Sequence, residues 1–268
     1  MSRDYSPIPI PENFIWSFSK LSTYDTCPYA FALQYLQDPP LPKQQNAWAE
    51  YGILCHSLLE EFAKGELPVN KLSSEFVERY PDIVVHEFPP FPKGYAEKAY
   101  KQGIDYFNRF KGFGNQYDVV STEEWFNINI GPYSFVGISD LVLSEKNTGE
   151  LIVVDHKTKS ESSMKQDIFL YRKQLYIYAE HVFRKYGKYP KEIRFNMIKS
   201  NDPIIESFSL DNHLETLKWT ESTIDNIMLE DEWIPCPNYY YCRYICPVFN
   251  YCDTGMKFCE SSKKKKKD

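Results

Sequence analysis

The sequence has no apolar run near the roughly 20 residues that a membrane-spanning helix needs. Residues 1–12 are polar and contain proline, and they lack the basic and apolar regions of a secretory signal peptide. The chain also lacks a G-x-x-x-x-G-K-[ST] phosphate loop, which excludes nucleotide-driven motors of that class. We therefore expect a cytoplasmic protein with no membrane partner, in which the seven cysteines are metal ligands or core residues rather than disulfides.

A surplus of positive charge is also missing, because the net charge is -6. Nucleic-acid-binding proteins are commonly basic, so this balance argues weakly against that class, although the distribution of charge matters more than its sum. The only strong charge run is Lys263–Lys267. We expect it to be a solvated, disordered tail; contact with a phosphate backbone is the alternative.

What the sequence does have is enough apolar content for a folded core. Of its 268 residues, 43% are hydrophobic and 16% aromatic, which is atypical of disorder. Apolar spacing predicts helices over residues 17–36, 48–64, 95–110, 165–186 and 210–228. Alternating or continuous apolar runs predict strands over residues 119–130, 133–143, 150–156, 192–198 and 204–208. This order predicts an α/β (α+β) domain with one mixed sheet.

Acidic and basic residues occur at the ends of two neighbouring predicted strands. Asp140 ends one of them, and Asp155 and Lys157 end the next, after the apolar run 151–154. Residues two apart on a strand face the same side, so Asp155 and Lys157 can reach one point. Carboxylates bind hard divalent ions, which acidify water and stabilise charge on phosphoryl oxygens. An isolated Asp-x-Lys is more often a surface ion pair, but its position after a buried strand favours phosphodiester hydrolysis.

Several motifs, in order along the chain, resemble those of RecB-like nuclease domains in the PD-(D/E)XK superfamily. They are residues 19–28, Gly52–His56, Gly137–Asp140, Val153–Thr158 and Gln174–Tyr178. The resemblance implies a restriction-endonuclease-like fold, in which a mixed central sheet is flanked by helices. It also implies Mg²⁺ or Mn²⁺ bound by His56, Asp140 and Asp155, with the backbone carbonyl of His156 as a further ligand. It assigns catalysis to Lys157 and places Gln174 and Tyr178 close to the active site.

Some of these residues also have ordinary explanations. His56 could be a satisfied helix residue, Glu60 could face solvent, and Tyr178 could belong to the core. The imidazole of His156 should point to the other face of its strand, so we do not count it as a ligand. Glu123 and Glu124 resemble an acidic position that some relatives carry.

The cysteines form a second candidate site. Cys242, Cys246 and Cys252 lie near the end of the chain, far from Cys27. This layout resembles that of the CRISPR-associated iron–sulfur exonucleases and the AddB nuclease domain, and it implies a [4Fe–4S] cluster that ties the two chain ends together. The first spacing has three residues where that family has two. Cys236 and Cys259 are spare candidates, Zn²⁺ is the alternative metal, and Cys55 is read as a buried thiol.

Together these features predict a nuclease core over residues 1–234 with an N-terminal helical segment, a cysteine-rich segment over 235–260 joined to Cys27 by the metal, and a basic tail over 261–268. The resemblance implies a DNA exonuclease that acts on single strands or free ends in recombination, repair, CRISPR adaptation or phage replication. It also implies a helicase or a recombination or CRISPR protein as a partner. The alternatives are an inactive nucleic-acid-binding protein and a cluster scaffold of the same fold.

Overall fold

The computed structural model describes residues 8–90, 93–200 and 202–264. The helices are α1 (Phe18–Thr26), α2 (Pro28–Tyr35), α3 (Ala47–Ala63), α4 (Leu72–Ile83), α5 (Tyr95–Arg109), α6 (Glu161–Tyr186), α7 (Leu210–Met228) and α8 (Asp253–Lys264). The strands are β1 (Tyr117–Ile130), β2 (Tyr133–Glu145), β3 (Leu151–Lys157), β4 (Glu192–Met197) and β5 (Ile204–Ser207). In the described part of the chain, no helix is both long and apolar enough to cross a membrane.

The five strands form one mixed sheet in the order β1-β2-β3-β4-β5. β2 and β3 are antiparallel, with Leu141 opposite Val154. β3 and β4 are parallel, joined by α6, and β4 and β5 are antiparallel. The predicted mixed α/β fold is confirmed, and β3, whose residues 151–154 are apolar on both faces, is the central strand.

The two faces of β3 pack against different helices. Ile152 and Val154 form a cluster with Leu141 and Leu143 of β2, and Ala63 of α3 packs against it. α6 contacts β3 and β4, and because side chains alternate along a strand, Asp155 and Lys157 lie on the α6 face. Asp155 and Lys157 therefore lie on the opposite side of the sheet from the apolar cluster that packs against α3.

The first predicted helix, over residues 17–36, is two helices in the structure. Cys27 separates α1 from α2 and has extended backbone dihedrals, φ -164° and ψ 105°. Pro28 is the first residue of α2, and a proline disfavours the helical conformation in the residue before it. The break leaves Cys27 at the junction, where its thiol is buried.

Two helices were not predicted. α4 places Leu72 and Phe76 one turn apart in the core. It ends at Ile83, two residues after Pro81, which has no backbone N–H to donate to the helix. α8 begins directly after Cys252, includes Cys259 and continues through Lys264; residues 265–268, which include most of the lysine run, lie outside the described residues.

The chain forms two compact units. One contains residues 47–128 and 136–218, and its helical core includes the aromatic side chains of Tyr51, Phe76 and Phe107. The other contains residues 1–46, 129–135 and 219–268. Its core includes Trp16 and Phe31, whose rings stack with centroids 6.2 Å apart.

Candidate functional site

The hairpin of β1 and β2 brings acidic residues to the centre of the sheet. A Cβ atom on Gly137 would lie 2.5 Å from the ring of Phe126, so only glycine allows the two strands to approach so closely there. Phe126 in turn packs edge-on against Tyr178, with centroids 5.8 Å apart. Gly137, the first residue of the predicted Gly137–Asp140 motif, therefore has a packing role.

Asp140 is 6% exposed, and its carboxylate Oδ2 accepts a hydrogen bond from the backbone N–H of His156 over 2.7 Å. Burial, together with the nearby charge of Asp155, raises the pKa of Asp140 far above the range of an exposed aspartate. Such a carboxylate favours a bound proton or a nearby cation.

His56 of α3 is surrounded by hydrogen-bond acceptors. Its Nδ1 lies 3.0 Å from Glu123 Oε1 and 3.7 Å from Asp140 Oδ2, and its Nε2 lies 3.1 Å from the carbonyl oxygen of His156. Burial alone would lower the pKa of His56, but the hydrogen bond to Glu123 and the charge of Asp140 raise it to about 9. The ring is therefore a cation at neutral pH.

Glu123 reaches this group because the backbone of β1 is distorted. Its φ is 44°, a left-handed conformation that non-glycine residues rarely adopt. The neighbouring Glu124 makes contacts elsewhere, with Lys185 and, at 3.4 Å, with His181. Of the two acidic residues considered together from the sequence, only Glu123 contacts His56.

Ligand atoms from His56, Glu123 and Asp140 all lie within 4.8 Å of one another. Asp155, a predicted ligand, is outside this trio but is 1% exposed and acts electrostatically on both His56 and Asp140. Its Oδ2 makes no hydrogen bond within the described part of the chain, because the 2.7 Å contact with Lys157 Nζ lacks hydrogen-bond geometry. A buried carboxylate oxygen in this condition suits a divalent ion, so the donor set fits a hard metal.

Lys157 is held by three groups on the α6 face of the sheet. Its Nζ lies 2.7 Å from Asp155, donates a hydrogen bond to Gln174 Oε1 over 2.9 Å, and lies 4.6 Å from the ring centroid of Tyr171. Gln174 Nε2 donates to the hydroxyl of Tyr178 over 2.6 Å. The structure thus brings together Asp155, Lys157, Gln174 and Tyr178, as the resemblance of the motifs implied.

Tyr171 is a contact that we did not predict. It lies one helical turn before Gln174 and shares its face of α6, so the extended stripe 171, 174, 178 was a usable signal. Its ring also lies 4.6 Å from Lys159 Nζ, so two lysines share one aromatic ring.

The side chain of His156 points away from Lys157, as expected for alternation along a strand. Its ring stacks on Phe113, and its Nδ1 accepts a hydrogen bond from Asn196 Nδ2 over 2.9 Å. Burial holds the pKa of His156 well below its ordinary value of 6.5, so the ring is neutral. His156 enters the site only through its backbone.

The cysteines of the second candidate site line one cavity in the unit that contains both chain ends. The cavity is lined by Cys27, Cys236, Cys242, Cys246 and Cys252 among others. Burial raises the pKa of Cys246 to about 12, and the proximity of Cys242, Cys27 and Cys252 contributes. These thiols lie around one cavity and do not ionise readily on their own. A metal that binds thiolates would supply the positive charge that favours their ionised form.

The unusual three-residue spacing between Cys242 and Cys246 has a structural counterpart. Tyr241–Ile245 forms a π-helical turn, in which Cys246 N–H donates to Tyr241 C=O over 2.8 Å. A π turn accommodates one residue more than an α turn, so both sulfurs can still face the cavity.

The remaining cysteines differ from one another. Cys236 is exposed, and its backbone N–H donates to the sulfur of Cys27 over 3.4 Å. Cys259 is buried in the cluster around the cavity. Cys55 is fully buried in the other unit, in the apolar core, which agrees with its reading as an ordinary thiol.

Comparison with known proteins gives one family. The model of the PD-(D/E)XK nuclease superfamily matches residues 15–253. No curated protein matches. Among solved structures, the crystal structure of SSO0001 is 16% identical, with alignment over 92% of this chain and 88% of that one and a TM-score of 0.39.

Proposed function

The chain belongs to the PD-(D/E)XK nuclease superfamily, and from this premise we propose that it is a DNA nuclease that depends on Mg²⁺ or Mn²⁺. The observation that carries the proposal is the group formed by His56, Glu123 and Asp140 within 4.8 Å, beside the buried Asp155–Lys157 pair. A bound divalent ion would supply an acidified water and neutralise charge on the phosphoryl oxygens.

The side chains divide this chemistry between them. Asp140, Asp155 and His56, after it has lost its proton, would hold the ion, and Glu123 is the additional ligand that the geometry suggests. Lys157 carries a positive charge that Gln174 and Asp155 aim into the site. It can donate a hydrogen bond to a phosphate oxygen or to the attacking water, which orients the reactants and stabilises developing charge.

We propose further that the protein digests DNA from an end and prefers single strands. This finer assignment is supported by the resemblance of the ordered motifs to RecB-like domains, including those of the iron–sulfur exonucleases and AddB. A cytoplasmic location and a helicase or recombination partner belong to the same proposal.

A cleavage assay tests the nuclease. Single-stranded, duplex and circular DNA, and matching RNA, are incubated with the purified chain in Mg²⁺ or Mn²⁺, and Asp155→Asn is the matched inactive variant. We expect cleavage of linear single-stranded DNA and none of the circle, with loss of activity in Asp155→Asn. Equal activity in that variant would reject the site. No cleavage of any substrate, with metal binding demonstrated, would favour the inactive binding protein or the scaffold.

For the cysteines we propose a [4Fe–4S] cluster held by Cys27, Cys242, Cys246 and Cys252. The four cysteines line one cavity, and their order along the chain resembles that of the iron–sulfur exonucleases and AddB, which supports this choice. Zn²⁺, which also binds four thiolates, is the alternative.

Absorbance and metal analysis test the cluster. Anaerobically purified protein should be brown, with about four iron and four sulfide per chain if one cubane is bound. A colourless protein with about one zinc per chain would overturn the cluster but leave the nuclease proposal intact.

A further inference from the structure

Three large apolar side chains beside the metal-binding group are exposed. Ile53 is 59% exposed, Trp125 is 63% exposed and Ile138 is 46% exposed. We call these three residues the Trp125 surface. Single exposed apolar residues are common on proteins and need no explanation. These three differ because each lies on an element that supplies one member of the group.

The spacing places each of them on the same face as that member. Ile53 is three residues before His56 on α3, and residues three apart share a helix face. Trp125 is two residues after Glu123 on β1, and Ile138 is two residues before Asp140 on β2. Residues two apart on a strand share a face. The Trp125 surface therefore continues the face of the metal-binding group.

The strands also place Trp125 and Ile138 next to each other. Gly137 lies against the ring of Phe126, since a Cβ there would be only 2.5 Å from it. Trp125 precedes Phe126, and Ile138 follows Gly137. Because side chains alternate along a strand, both project from the opposite face of the hairpin. They are neighbours on two adjacent strands.

Trp125 and Ile138 face away from α6, because Phe126 packs against Tyr178 and His181 of that helix. On α3, a Cβ on Gly52 would lie 3.9 Å from the Thr158 hydroxyl, so the residue before Ile53 lies close to the end of β3.

An exposed aromatic side chain beside a metal-binding group has the chemistry of a nucleotide site. The bound ion would attract phosphates, and an unpaired base stacks on an exposed aromatic face. A base inside a duplex has no free face to offer. An apolar peptide would make no use of the ion, so a single-stranded nucleic acid matches this combination better.

We propose that Trp125 stacks on the unpaired base next to the scissile phosphate, with Ile53 and Ile138 flanking that base. This inference rests on the proposed nuclease function and gives it a structural determinant of strand selection. The site would accept a strand whose bases are free and would bind a strand without bases poorly.

The test compares a short fluorescein-labelled oligothymidylate with the same strand in which abasic residues replace the nucleotides at the cleaved end. Binding is measured with Ca²⁺ and cleavage with Mg²⁺, for the full chain and for Trp125→Ala, Trp125→Phe and Phe169→Ala. Phe169 is the matched control, because it is 74% exposed on α6 and its ring lies against Arg172. Thermal unfolding verifies that each variant is folded.

We expect Trp125→Ala to weaken binding of the base-bearing strand about tenfold or more, which corresponds to loss of one stacked base. Binding of the abasic strand should not change, Trp125→Phe should retain most of the preference, and Phe169→Ala should behave as wild type. Oligothymidylate should also quench the tryptophan fluorescence of the wild type more than that of Trp125→Ala.

An unchanged ratio between the two strands in Trp125→Ala would overturn the proposal. If the wild type cleaves neither strand, the nuclease function fails while the binding comparison still decides the role of Trp125. If the wild type cleaves DNA but Trp125→Ala shows the same base preference, only the stacking proposal fails.

Discussion

Lys157 Nζ donates a hydrogen bond to Gln174 Oε1 over 2.9 Å, which connects the end of the central strand to the long helix α6. Gln174 is itself fixed by the hydroxyl of Tyr178, 2.6 Å from its Nε2. Because glutamine is neutral, it can orient the ammonium group without adding charge to a site already rich in carboxylates. The position of Lys157 therefore depends on a chain of two hydrogen bonds.

We expect Gln174→Leu to lower kcat by about 100-fold, because misplacing a reacting group by about 1 Å costs this order of rate. KM should change little, since Lys157 keeps its charge and its contact with Asp155. Single-turnover and steady-state cleavage measure the two effects. Gln102→Leu on α5 is the matched control, since Gln102 contacts the backbone of Lys199 instead. Equal losses in both variants would mean that Gln174 acts through the fold alone.

Glu123 adopts a left-handed backbone conformation in the middle of β1, with φ 44°. For a residue with a side chain this costs about 1–2 kcal/mol, whereas glycine adopts it freely. We expect Glu123→Gly to be about 1 kcal/mol more stable to urea than Glu123→Ala, although both lose the carboxylate and should bind Mg²⁺ more weakly. An alanine variant as stable as the glycine variant would show that no strain is stored there.

The sequence predicted the residues whose position depends on short, regular spacing. Asp155 and Lys157 lie two apart on a strand, and Gln174 and Tyr178 lie four apart on a helix, so their shared faces follow from local geometry. The contact of Glu123 with His56 depends on a positive φ in a non-glycine residue, which no local sequence pattern predicts. Tyr171 meets Lys157 only because of how α6 packs on β3, which is a tertiary relationship.

The cysteine segment shows the same limit. The order of Cys27, Cys242, Cys246 and Cys252 suggested that they meet, and all four line one cavity. The π turn over Tyr241–Ile245 was not predictable from a three-residue spacing, because helix, loop and π turn can all accommodate it. We did not predict α8, because the cysteine- and tyrosine-rich residues before it have no periodicity that marks where a helix begins.

Protons and metal should compete at the site. The pKa of His56 is raised to about 9 and that of Asp140 to about 7, so at neutral pH without an ion His56 is mostly protonated and Asp140 is about half protonated. Bound ion requires both groups in their deprotonated forms. We expect the affinity for Mg²⁺ to rise with pH between 6 and 9, by roughly tenfold per pH unit for each proton released.

The same shifts predict the stability of the metal-free protein. Both pKa values are raised on folding, from 6.5 for His56 and from 3.8 for Asp140. Their stabilising contributions are complete below those ordinary values and are lost as pH rises through about 9 and about 7, respectively. Thermal unfolding in chelator should therefore occur at lower temperature at pH 9 than at pH 6, and Mg²⁺ should reduce the difference.

In His56→Asn, the pH dependence of Mg²⁺ affinity should be shallower, because one of the two competing protons is removed. An unchanged slope would contradict the coupling between proton release and metal binding.

Removal of one cysteine should distinguish ligands from spare thiols. Cys246 is 8% exposed, and its pKa responds to Cys27, Cys242 and Cys252 together. We expect Cys246→Ser to lose most of the bound metal, measured by absorbance and elemental analysis, and to unfold at lower temperature, because the proposed metal would tie Cys27 to the segment after residue 235. Cys236→Ser is the control, since Cys236 is exposed and lies outside the proposed set. If Cys236→Ser loses the metal and Cys246→Ser keeps it, then Cys236 replaces Cys246 as a ligand, and the π turn has no role in metal binding.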